Sequence, residues 1–132
     1  MAGADPSQTL VGLRLAVGLG SWLTPRVGGR LFGLDPSGNP QLPYVGRLFG
    51  ARDVALAAGL LLSEGEARSL WLRMGIACDV ADSAAGVAAG RSGYLGPFSA
   101  TLVTATALGA AALGLAALRA HDSAGTPVAA PR

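Results

Sequence analysis

Residues 47–62 read RLFGARDVALAAGLLL. The right half has the composition of a membrane helix, yet Arg47, Arg52 and Asp53 stand in the same uninterrupted run. Extended outward to 44–63, the stretch approaches the roughly 20 residues that cross a hydrocarbon core. Either the charges mark a soluble loop running into an apolar helix, or they lie inside a membrane span. The tetrapeptide RLFG also occurs at 30–33, but a match this short, 17 residues away, is below any period that stacks into a repeat architecture.

The rest of the chain favours the second reading. Of its 132 residues 51% are hydrophobic and 14% charged, where soluble domains carry nearer a quarter charged. Three further apolar segments are predicted as helices, at about 9–23, 67–90 and 98–120. The first stops at Thr24-Pro25, because proline disfavours helix in the residue before it. Being short, it needs bilayer thinning or an N-terminal extension through Ser7 and Gln8. The connections DPSGNPQLP (35–43), EGE (64–66) and RSGYLGP (91–97) are built of turn formers. RVGGRLFGL, at 26–34, is expected to form a short interfacial helix, and the Pro-rich tail at 121–132 to be disordered. The fold expected is all-α: an integral membrane four-helix bundle, up-down-up-down, multi-pass in the cell membrane.

Aromatic placement agrees. In such a bundle Trp22, Tyr44, Tyr94 and Phe98 fall at one end and Trp71 at the other, the pattern of interfacial belts. Arginines flank both ends alike, so orientation is not specified. The competing soluble bundle requires a polar face along each helix. The segment FSATLVTATALGAAALGLAAL (98–118) offers only Ser and Thr, whose hydroxyls bond back to their own helix.

Several function classes are excluded or disfavoured. A net charge of +2, carried by scattered arginines, gives no footprint for nucleic acid. The single cysteine, Cys78, rules out an intramolecular disulfide and a multi-cysteine metal site, and it reads as a small apolar filler. The single histidine, His121, lies in the tail. No metal or cofactor is expected. MAGADPSQ lacks the basic region of a cleavable signal peptide.

Chemistry is confined to the charges at membrane depth: Arg14, Arg47, Arg52, Asp53, Asp79 and Asp82. An unpaired central charge costs about 2.5–3.5 kcal/mol on the mildest insertion scale, so pairing is expected. Asp79 and Asp82, three apart, share one face with Gly75, Ile76, Ser83 and Gly86. On the preceding helix Gly46, Gly50, Asp53 and Ala57 line a small-residue face that packs closely. On the first, Gly12, Ala16 and Gly20 form one stripe, and Arg14, Gly18 and Ser21 another face. The short EGE turn makes the second and third spans antiparallel neighbours. Arg52 is then expected to reach Asp79, with Arg14 or Arg47 serving another carboxylate. Two carboxylates so close do not both ionise cheaply in a low dielectric, and one is expected to act as a protonated general acid.

Arg-x-x-Gly-x-Arg-Asp opening a membrane helix, with acidic residues in the next helix, resembles small four-span bacterial membrane proteins of unknown function, over about 45 residues. That resemblance implies the four-helix fold and transfers no activity. A similarity of class only is to the small membrane-bound terpene cyclases, whose acidic residues protonate a lipophilic substrate. Three functions are open from the sequence. The first is an acid–base isomerase or cyclase acting on an isoprenoid-like molecule. Asp79 or Asp82 would be the proton donor, Asp53 a second carboxylate and Arg52 a charge-stabilising group, with Arg14, Arg47 and Ser83 contacting substrate. The second is a non-catalytic accessory protein that docks a membrane partner or a second copy. The third is a small oligomeric transporter.

Overall fold

In a computed structural model, described over residues 5–125, the chain folds into five helices: α1 Pro6–Leu23, α2 Pro25–Leu31, α3 Leu42–Leu62, α4 Gly65–Arg91 and α5 Pro97–Gly125. The four long helices are the four predicted segments, and α2 is the short helix expected after Pro25. α1 does extend through Ser7 and Gln8. Asp5 caps it by accepting from the Ser7 N–H at 3.0 Å, and Pro6 fills the first turn, where its missing N–H costs nothing. The tail expectation is corrected in part, because α5 continues through His121 to Gly125. His121 Nε2 lies 3.0 Å from the Gly65 carbonyl, which holds that end of α5 against the start of α4. Residues 126–132 lie outside the described part.

Antiparallel packing pairs α1 with α3 and α4 with α5. α1 also touches α5, and α3 touches α4 more slightly, while α1 and α4 stand diagonally with no backbone contact. The order round the bundle is therefore α1, α3, α4, α5. The α3–α4 turn is tight because Gly65 enters α4 at a φ of 54°, which glycine adopts without a Cβ clash. The α1–α3 approach centres on Gly18 and Gly50. A Cβ on Gly18 would come within 3.0 Å of the Gly50 carbonyl, and one on Gly50 would collide with the Gly18 carbonyl. The face of α1 that packs is thus the one holding Arg14 and Gly18. A Cβ added at Gly12 or Gly20, on the other small-residue stripe of α1, would meet nothing within 4 Å.

The two ends of the bundle differ. Near the Gly65 turn Leu10, Val11, Ala57, Leu60, Leu72, Ala110 and Ala117 form a buried apolar cluster. At the opposite end α2 lies across α1 and α3, and Ser99 Oγ donates to the Gly33 carbonyl at 2.9 Å, tying the loop after α2 to the start of α5. The turn that follows is closed by Asp35, whose carboxylate accepts from the Ser37 N–H at 2.9 Å. Hydrogen bonds from the hydroxyl and N–H of Ser37 hold that carboxyl below its usual range.

Some polar groups are buried while many large apolar side chains are exposed. Arg14, Asp53, Asp79, Ser83 and Ser99 are buried, whereas Leu19, Leu48, Leu61, Leu70, Met74, Val80 and Leu108 are exposed. Among the described residues one helix, Pro97–Gly125, is by length and composition apolar enough to cross a membrane. α3 and α4 are long enough at about 31 and 40 Å, but carry the charges described next.

Candidate functional site

Five of the six charges predicted at mid-helix meet at the centre of the bundle. Arg14 reaches across the diagonal from α1 to α4: its Nη2 donates to Asp79 Oδ2 at 2.6 Å and its Nη1 to Oδ1 at 3.3 Å. Arg52 makes the second bidentate pair, from Nη1 to Asp82 Oδ1 at 2.8 Å and from Nη2 to Oδ2 at 2.6 Å. Asp53 joins the two, its Oδ1 lying 3.1 Å from Arg52 Nη2 and 3.6 Å from Arg14 Nη1. Side-on carboxylate–guanidinium pairs of this kind are the strong form of the interaction.

Local sequence explains the arrangement. Asp79 and Asp82 fall on neighbouring positions of one helix face, but Asp79 points inward and Asp82 sits at the edge beside α3. Adjacent residues on a helix are about 100° apart, so Asp53 enters the interior while Arg52 stays at that same edge. The Arg52 guanidinium stacks over the Phe49 ring, 4.6 Å from its centroid, one turn back on α3. Gly75 makes room for the other arginine: a Cβ there would stand 2.9 Å from Arg14 Nη2.

One expectation is corrected. Arg52 pairs with Asp82, and Arg14 takes Asp79. The reason is topological: Asp79 faces the diagonal helix, and the sequence did not say which helices stand diagonally. Arg47 serves no carboxylate. It is exposed near the start of α3, where its Nε donates to the Trp22 carbonyl at 3.3 Å and satisfies the C-terminus of α1. Ser83 Oγ donates to the Asp79 carbonyl at 2.8 Å within α4. Thr106 likewise bonds back, to Leu102 O at 2.8 Å, as expected.

The network forms one wall of a cavity of about 260 Å³. Arg14, Asp53, Asp79 and Asp82 supply its polar lining together with Ser21 and Thr106. The remainder is apolar: Leu13 and Val17 from α1, Val45 and Phe49 from α3, Val103, Ala107 and Ala110 from α5. Gly28, Gly29, Phe32 and Leu34, from α2 and the loop after it, cover the end away from the Leu72 cluster. No local signal marks the cavity, which depends on α2 folding back over the bundle mouth. Phe49 was legible in principle, as an aromatic three residues before Arg52.

Among the described residues no group of three His, Cys, Asp or Glu is disposed to hold a metal ion. The carboxylates are turned to guanidinium groups instead. No protein-family model, curated protein or solved structure matches the chain.

Proposed function

We propose that the chain is a multi-pass membrane protein of four spans that binds a lipophilic small molecule in the cavity beside its Arg/Asp network. The observation that carries this reading is that three charges, Arg14, Asp53 and Asp79, are buried on helices whose outer faces expose many large apolar side chains. In water that surface would be an extended hydrophobic patch, whereas in a bilayer it is the required face. Further support comes from the aromatic residues. Trp22, Tyr44, Tyr94 and Phe98 are exposed at one end and Trp71 at the other, as headgroup-level belts would be. A concave, mostly apolar space with a few convergent polar groups is the usual form of a small-molecule site. The network serves the site by holding α1, α3 and α4 at fixed spacing round it.

A catalytic extension, isomerisation or cyclisation of an isoprenoid-like substrate, has one specific observation in its favour. Asp79 and Asp82 each give both oxygens to an arginine, but the one hydrogen bond Asp53 accepts from an arginine falls on Oδ1. Asp53 is thus the carboxylate with an oxygen available to exchange a proton with a bound molecule, and Asp53→Asn is the variant that would stop turnover.

The binding reading is tested by extracting and identifying lipophiles that copurify with the protein. Ala107→Phe, which places a ring in the cavity from α5, should yield folded protein without the bound species. An identical lipophile profile for the two proteins would dismiss the cavity as a binding site.

A further inference from the structure

The cavity's charge is not balanced. Two guanidinium groups face three carboxylates in the network, and all of its ion pairs are internal to these five residues. One formal negative charge is therefore in surplus. The surplus is also turned toward the cavity, since Asp53, Asp79 and Asp82 line it with Arg14, while Arg52 stands behind Asp82 and is absent from the wall. Asp53 is 5% exposed, and its hydrogen bond and its shortest contact with each arginine fall on Oδ1. A buried carboxylate oxygen accepts and does not donate when ionised. A surplus charge in such a setting is costly unless a proton or an external cation cancels it.

We infer that the molecule bound in this cavity is a lipophilic cation, one protonated amine or similar head on an apolar body, with the cationic head at Asp53. The inference rests on the cavity being a ligand site, and it adds the sign of the ligand. The chemistry is complementary at both ends. The cation supplies the charge that the network lacks and donates to Asp53 Oδ2, and the apolar body lies along Val17, Phe49, Val103 and Ala107. An anionic lipophile would meet the carboxylates directly, with Arg14 already committed to Asp79 and Asp53.

The test uses three probes of one chain length, decylammonium, decanol and decanoate, titrated onto the purified protein in neutral maltoside micelles at pH 7. Whole-chain electrostatics work against the inference, because the net charge of +2 favours the anion nonspecifically. Decylammonium is expected to bind at least about tenfold more tightly than decanoate. Asp53→Asn removes the surplus charge and leaves both bidentate pairs in place, and should bring the two probes within about threefold of each other. Ala107→Phe should abolish binding of all three. Equal or tighter binding of decanoate, or an unchanged preference in Asp53→Asn, overturns the cationic ligand while leaving a lipophile site standing. Failure of every probe to bind the unmodified protein, or binding that Ala107→Phe does not alter, overturns both.

Discussion

The two ends of the bundle use the same helices differently. Near the Gly65 turn the interior is filled, with Leu10 and Leu72 almost fully buried against Leu60 and Ala117. Beyond the Arg/Asp network the interior is hollow, and small residues such as Ser21, Gly46 and Ala107 face a space roofed by α2. Cores are ordinarily packed to crystal-like density, so an unfilled half must be held open. The network does this at the boundary. Arg14 spans the diagonal where no backbone contact exists, and Arg52 ties the α3–α4 edge, where contact is slight. The comparison teaches that the charges here substitute for packing.

Four substitutions sharpen or break that contrast. Arg14→Ala should have the largest effect. It strands Asp79 and Asp53 in the interior, and breaking a buried pair costs about 3–5 kcal/mol. Thermal unfolding in detergent reads this directly, and replacing Arg14 and Asp79 together with Leu should restore most of the loss. Leu72→Ala comes next, at about 3 kcal/mol for a cavity opened in the filled half. If it costs no more than a substitution in the hollow half, the two halves are not different. Arg52→Ala should cost about 1.5 kcal/mol, the scale of a hydrogen bond to a charged group. Its smaller effect follows from the one-third exposure of Arg52 and Asp82, against 3% for the Arg14 side chain. Arg47→Ala should fall within about 0.5 kcal/mol, since its one contact is an exposed bond to the Trp22 carbonyl.

Much of the fold was legible from the chain because its signals are local. Pro25 and the two glycine-containing turns end the helices, and apolar runs of the right length define them. The face of α4 read as Gly75, Ile76, Asp79, Asp82, Ser83 and Gly86 is buried at Gly75, Asp79, Ser83 and Gly86 and half-buried at Ile76 and Asp82. The need for pairing was legible too, since burying a lone charge is expensive whatever the partner. Partner identity was not. Arg52 with Asp79 and Arg52 with Asp82 are equally compatible with helical spacing, and only the diagonal placement of α1 decides between them. On α1 the Gly12, Ala16, Gly20 stripe and the face with Arg14, Gly18 and Ser21 are both small, and helix periodicity alone does not rank them. The face carrying Arg14 packs inward because its charge has partners there.

The most direct test of the account is the side of the membrane on which each loop lies. In a Cys78→Ser background, single cysteines at Ser37, Ser92 and Glu64 are probed in intact cells with a membrane-impermeant maleimide. The first two stand at the roofed end of the bundle and the third at the opposite turn. Four spans predict that Ser37→Cys and Ser92→Cys behave alike and that Glu64→Cys shows the opposite accessibility. Equal labelling at all three positions, or recovery of the protein from the soluble fraction, would contradict a bundle that keeps its charges inside and its apolar faces in lipid.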